Sequence, residues 1–151
     1  MNLSSETFNV LKNFSNISPS LVVKTGNTLR TISPMKNIYA KYNGGETFDR
    51  DFALYDLNEF LSGVSLFKDP DFLFDESHVK IKSGRSSVKY FYSDASVITA
   101  PPEKDIALPS EDVTFQLSDV DLNSLLKASS VYQLADLSLI SQDGEMLFVT
   151  R

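Results

Sequence analysis

Few side chains in this 151-residue sequence are spaced for chemistry. Asp49 and Asp51 flank Arg50, and Asp69 and Asp71 flank Pro70. Two carboxylates at that separation can ligate a cation from a loop, but both pairs read here as solvated turn residues. The lone histidine, His78, sits between Ser77 and Val79 beside a predicted hairpin turn and reads as an exposed spectator. One His and no Cys exclude multi-histidine clusters, thiolate zinc sites, disulfides and cysteine nucleophiles. No HExxH, GxSxG or GxxxxGK pattern occurs, and Asn43-Gly44-Gly45-Glu46 is a turn signal only. No metal, cofactor or catalytic grouping is therefore assigned, and the chain reads as a non-enzyme.

What remains is positive charge, unevenly placed. The net charge is −6 and the pI near 4.7, which argues against broad contact with phosphate. Yet residues 1–41 hold Lys12, Lys24, Arg30, Lys36 and Lys41 against Glu6 alone, and residues 77–92 hold Lys80, Lys82, Arg85 and Lys89 with no acid. The acids gather between and after these blocks. Such alternation places opposite charges on different faces, or is ordinary solubility charge. Lys80 and Lys82 share one side of a predicted strand opposite Val79 and Ile81, which suits a plain solvent face as well as a phosphate-contact face. No apolar run is long enough to span a bilayer, and the N-terminus lacks the basic-then-apolar order of a secretion signal, so a soluble intracellular protein is expected.

The elements that must position these residues are short. Ser4 or Ser5 caps a helix to about Phe14, with an apolar stripe of Leu3, Phe8, Val10, Leu11 and Phe14. Strands follow at Leu21–Lys24 and Thr28–Ser33 around a Thr25-Gly26-Asn27 turn, then at Asn37–Tyr42, ending in the Asn43-Gly44-Gly45 turn. Phe52–Tyr55 is the next strand, and Asp56 caps a helix from Leu57 to about Leu66 that Lys68-Asp69-Pro70 stops. A three-stranded meander covers 71–75, 79–82 and 88–92. The stretch 94–112, with Pro101, Pro102 and Pro109, is an extended connector. Val113–Leu117 is a strand, Ser118 and Asp121 form a capping box for a helix to about Ser130, and 136–141 with 145–150 make a hairpin around Gln142-Asp143-Gly144.

A repeat links these parts. The adjacent apolar pairs Val10-Leu11, Phe60-Leu61 and Leu125-Leu126 lie in predicted helices, and Val22, Phe72 and Leu137 follow each at one fixed offset in a strand. Asp56-Leu57-Asn58-Glu59-Phe60-Leu61 is also similar to Asp121-Leu122-Asn123-Ser124-Leu125-Leu126. The implied fold class is α+β, with helices packed on antiparallel sheet and built from repeated helix-hairpin units. The organisation reads as a first domain at 1–94, a connector at 95–112 and the first half of a second domain at 113–151. Lys12 and Lys127 stand one residue after the apolar pairs of units one and three, offering sparse positive charge suited to weak, sequence-independent contact.

The chain resembles the DNA polymerase sliding clamps of T4-type bacteriophages. The resemblance rests on Leu11-Lys12-Asn13-Phe14 with Ile17 and Leu21-Val22-Val23-Lys24-Thr25-Gly26. It also rests on Ala53 to Leu61 with Ser65-Leu66, Lys80-Ile81 before Arg85-Ser86, Leu108-Pro109, and Leu125-Leu126-Lys127-Ala128-Ser129. It implies a non-catalytic processivity factor, in which three subunits close head to tail around duplex DNA, a clamp-loader ATPase places the ring, and DNA polymerase tethers to it in the host cytoplasm. By that likeness the helices bearing Lys12 and Lys127 face the central hole, with Lys80, Lys82, Arg85 and Lys89 as a secondary basic surface. The chain stops where the second domain is half built, and a fourth helix would stand near position 175. As a 151-residue chain it is expected not to close the normal ring, and to pair through the uncovered half by strand edges or hairpin exchange. The competing expectations are a stand-alone peptide-binding adaptor and a structural oligomer with no DNA role.

Overall fold

The computed structural model describes residues 2–107 and 109–151; Leu108, quoted above for the connector, and Met1 lie outside the described residues. The chain forms two compact units, one reaching to Asp105 and the other Ile106–Arg151.

The first unit begins with α1 (Ser5–Ile17), whose N-cap Ser4 accepts a hydrogen bond from the Thr7 backbone N–H. Its spacing turns Thr7, Leu11 and Phe14 inward. Then come β1 (Leu21–Val23), β2 (Gly26–Ile32), β3 (Tyr39–Phe48) and β4 (Phe52–Leu54). Helix α2 (Leu57–Ser65) is capped by Asp56, whose carboxylate accepts from the Glu59 N–H at 2.8 Å, and it buries Leu57, Phe60, Leu61 and Val64. Strands β5 (Asp71–Phe74), β6 (His78–Ser83) and β7 (Ser86–Phe91) form the expected antiparallel meander, followed by a single 3₁₀ turn at Ala95–Val97. An aromatic seam joins the separate sheets: Phe52 lies 5.7 Å from Phe48, 5.2 Å from Phe74 and 5.0 Å from Tyr92, while Phe60 meets Tyr90 at 5.5 Å. Around it Leu21, Leu29, Leu54, Leu57, Val79 and Ile81 are almost wholly excluded from solvent.

Three expectations need correction here. Strand β1 does not form a hairpin with β2. It pairs antiparallel with β4 (Val22 opposite Ala53), and β2 pairs with β3 instead. Asp51, just before β4, binds the Thr25 N–H at 2.7 Å, holding the chain after β1 against the start of β4. Second, Asn43-Gly44-Gly45 is no chain reversal, because β3 runs through it. Gly45 has φ +68°, and the strand bends where it passes α1 closely: a Cβ there would lie 2.2 Å from Thr7 Oγ1. The true reversal is at Ser33, whose hydroxyl accepts from the N–H groups of Asn37 and Ile38. Third, residues 113–117 are irregular. Val113 and Phe115 have strand-forming side chains, but half or more of each is exposed, and neither residue pairs with a described strand.

The second unit holds α3 (Asp119–Tyr132) and the antiparallel hairpin of β8 (Leu137–Gln142) and β9 (Glu145–Thr150). The capping box forms: Ser118 Oγ accepts from the Asp121 N–H at 3.1 Å and donates to its carboxylate at 2.6 Å. Gln133 in the left-handed region ends the helix. No described side chain of this unit is fully buried. Leu125, Leu139, Met146, Phe148 and Phe115 instead line an open groove of about 550 Å³. The offset residues Val22, Phe72 and Leu137 do fall in strands, and β5–β6 and β8–β9 are hairpins, but β1–β2 is not.

Candidate nucleic-acid interface

Helices α1 and α2 pack side by side over the first unit's core and leave one face of each in water. On α1 that face carries Glu6, Asn9, Lys12, Asn13 and Asn16, and on α2 it carries Asn58, Glu59, Ser62 and Ser65. Lys12 is the only cation of either helix. Its Nζ sits 4.7 Å from the centroid of the Phe8 ring one turn back, a cation–π contact that steadies the side chain while leaving its ammonium exposed. Lys127 is likewise exposed on α3, among Asn123 and Ser130 at one-turn spacings, and belongs to the second unit. The chemistry available on these helices is a row of amide and hydroxyl groups with scarce positive charge. Such a row can hydrogen-bond phosphate oxygens but has no convergent donors to read bases.

The second basic group is on the meander. Val79 and Ile81 point into the core at 0% and 1% exposure, which sends Lys80 and Lys82 to the opposite face of β6. The register sets Lys80 directly across from Lys89, and Lys82 from Ser87, with Arg85 in the turn between the strands. On the other flank Lys80 stands opposite Leu73 and Lys82 opposite Asp71, so an acid enters this face. Two lysines directly opposed across a ladder repel one another. His78 pairs with Phe91 in the register, its ring 5.5 Å away, and is half-buried by that contact.

The two carboxylates around Arg50 have cationic partners of their own. Asp49 accepts from Arg50 Nε at 3.2 Å. Asp51 accepts from Lys24 Nζ at 2.9 Å and from both the N–H and the hydroxyl of Thr25. No group that could hold a metal occurs among the described residues. The Lys24 hydrogen bond first, then those from Thr25, draw the Asp51 carboxyl down to about 2. The folded chain therefore binds fewer protons at this site than the unfolded one, so the stabilisation is whole above about pH 4 and fades as pH falls through about 2. Asp51→Asn is expected to lower the urea midpoint at neutral pH, with the gap to the parent closing between about pH 4 and 2. The pair is half-exposed, so the gap is modest. A gap that does not change with pH would remove the interaction from the account.

One cluster was not anticipated from the sequence. Asp105, in the connector, binds Arg30 on β2 at 3.0 Å and also Lys41 on β3. Ala100–Glu103 then lies beside Val22, Lys24 and Thr28, enclosing a cleft of about 300 Å³. The signal available in the sequence was two cations on predicted strands and an acid in a Pro-rich stretch, but only the β2–β3 register brings Arg30 and Lys41 together.

The sequence model described as DNA polymerase processivity factor matches residues 4–100, from the N-cap of α1 to just beyond the 3₁₀ turn. The sliding clamp of Escherichia phage RB69 is 33% identical over 149 residues, 97% of this chain and 65% of that protein. The sliding clamp of Vibrio phage KVP40 is 32% identical over 148 residues, 95% of this chain and 66% of that protein. The sliding clamp of Enterobacteria phage T4 is 30% identical over 149 residues, with 97% and 65% covered. The chain thus spans just under two thirds of the length of these relatives. A match that starts at the helix cap and takes in the whole three-stranded meander, with relatives aligned along nearly all of both units, makes this chain a member of the DNA polymerase processivity factor family.

Proposed function

We propose that this chain acts as a subunit of a phage sliding clamp, encircling duplex DNA and tethering DNA polymerase during replication in the host cytoplasm. The carrying observation is the similarity to sliding clamps along 97% of the chain, together with polar solvent-facing helices on which lysines are sparse. A ring holds DNA by enclosure, so its lining needs weak contact rather than affinity, and sparse lysines on amide-rich helices fit that task. In this reading Lys12 and Lys127 face the DNA. Lys80, Lys82, Arg85 and Lys89 form a secondary basic surface. The partners are duplex DNA, DNA polymerase and a clamp-loader ATPase, and the ring is a homotrimer when the subunit is full length, with residues 1–94, 95–112 and 113–151 serving as first domain, connector and part of a second.

The test is retention on primed circular DNA in the presence of loader, polymerase and ATP. For the full-length subunit, retention and long products are expected on circles, with loss when the circle is cut. Replacing both Lys12→Glu and Lys127→Glu is expected to cut loading roughly tenfold, since each reversal removes one phosphate partner and adds a repulsion. Equal retention on cut and uncut DNA would favour a peptide-binding adaptor. Loading indifferent to both reversals would move the DNA face elsewhere.

A further inference from the structure

We propose that residues 99–105 form a strap over the cleft on β1 and β2, hinged at Ile98 and released at Asp105. The strap rests on contacts inside the first unit alone and stands whether or not the clamp reading holds.

The hinge end is built into the fold. After β7 the Ser93 N–H donates to the Ala53 carbonyl at 2.9 Å, tying the chain to β4. Asp94 caps the 3₁₀ turn, accepting from the Ser96 N–H at 2.8 Å. The turn delivers Ile98 into a small apolar cluster with Val22 of β1 and Ala53 of β4, where it is 8% exposed. Leaving that cluster would return a large aliphatic side chain to water, so this end stays fastened.

The far end is held by charge. The β2–β3 register sets Arg30 directly opposite Lys41. Like charges facing each other across a ladder repel, and a carboxylate placed between them offsets that cost. Asp105 is that carboxylate: Arg30 Nη2 donates to its Oδ1 at 3.0 Å, and Lys41 Nζ donates to its Oδ2. The hydrogen bond from Lys41 first, then that from Arg30, holds the Asp105 carboxyl below its usual range. The side chains of Arg30 and Lys41 are 24% and 28% exposed, that of Asp105 53%. The cations therefore belong to the sheet, and the acid is the member able to leave. Among the described residues no backbone hydrogen bond joins 99–105 to a strand, so only the two ends hold the strap down.

Between those ends, Ala100–Glu103 forms one wall of the cleft of about 300 Å³ whose other wall includes Val22, Lys24 and Thr28. Pro101 and Pro102 fix φ in succession and keep this span extended and stiff. When Asp105 lets go, the span swings about Ile98 as a piece. The cleft opens and the Arg30–Lys41 pair is bared. The run of chain leading to α3 then begins after Ile98 rather than after Asp105, which lengthens the tether to the second unit.

Digestion of the 151-residue chain by a glutamyl endopeptidase tests the strap, because a protease must draw a flexible segment into its site. Cleavage after Glu103 falls within the strap, and cleavage after Glu111, beyond it, is the internal reference. Arg30→Gln and Lys41→Gln leave the strap's own sequence intact. Each is expected to raise the Glu103 rate about threefold relative to Glu111. Lys41→Arg keeps the charge and should be cleaved as the parent is. In 1 M NaCl, where charges are screened beyond about 3 Å, the parent's ratio should rise by a similar factor and that of Lys41→Gln by less. Circular dichroism reports whether each variant keeps its fold, and the salt response of the parent needs no variant. A parent ratio unmoved by salt overturns the proposal. So do folded glutamine variants that keep the parent's ratio, or Lys41→Arg cleaved as fast as Lys41→Gln.

Discussion

Alanine at Gly45 is expected to destabilise the first unit by about 2–5 kcal/mol, the sum of a left-handed backbone penalty and an overpacking penalty. The backbone part comes from φ +68°, and the packing part from a Cβ placed 2.2 Å from Thr7 Oγ1. Thr7 is 1% exposed on the inner face of α1, so neither it nor the strand has room to yield. Gly84→Ala is the control: its φ is +58°, but a Cβ there meets nothing within 4 Å, so about 1–2 kcal/mol is expected. Urea midpoints followed by circular dichroism give both values. Pairing Gly45→Ala with Thr7→Ala should recover part of the packing loss, because the clashing oxygen is gone. Equal costs at Gly45 and Gly84 would refute the close approach.

The glutamate beside Gly45 shows why the approach is so close. Burial works against the charge of Glu46, but hydrogen bonds from the Thr7 hydroxyl and the Ser4 N–H outweigh it and hold its carboxyl below the usual range. The start of α1 is thereby fastened to β3 by backbone and side chain together, with only Gly45 small enough to sit between them.

Phe52→Ala is expected to cost about 3–5 kcal/mol, the range for removing a well-packed core aromatic. Phe52 touches three rings from three different segments, Phe48, Phe74 and Tyr92, so its loss leaves a cavity that no single side chain can fill. At a urea slope of about 1–3 kcal/mol/M the midpoint should fall by about 2 M. A second readout is independent of stability. Burial pushes the Tyr92 phenol up to about 12, and opening the seam should bring its alkaline titration back toward the usual value near 10. A variant with unchanged Tyr92 titration would place Tyr92 outside the seam.

Much of this arrangement was legible in the residues, for local reasons. Ser4, Asp56 and Ser118 announce helix starts because capping is a short-range hydrogen bond, and all three caps form. The 71–91 meander was readable from alternation alone, since Val79 and Ile81 must be buried for β6 to exist. The failures were failures of pairing. A turn signal at Gly26 says where the chain can bend, not which strand lies beside β1, and Asp51 decides that from 26 residues away through Thr25. Gly44-Gly45 carried the signature of a reversal, but left-handed glycine serves a bulge as well as a turn. Val113–Leu117 has strand composition but pairs with no described strand, because composition does not specify a partner. For the candidate interface, patterning alone locates the elements that carry the lysines: Lys12 on α1, Lys127 on α3, and Lys80, Lys82 and Lys89 on β6 and β7. The link of Asp105 to Arg30 and Lys41 depends on register and stayed hidden.

The single lysine on the exposed faces of α1 and α2 has a consequence in the language of ions. Each cation that settles on a phosphate frees a condensed counterion, and log K falls with log salt by about 0.9 per contact. With the first unit facing duplex DNA as proposed, Lys12 alone would release about one ion from that unit. Added salt would then take little from the complex, because little of what holds it was ever purchased from the ionic atmosphere. Cutting the DNA, rather than raising the salt, would be what lets it go.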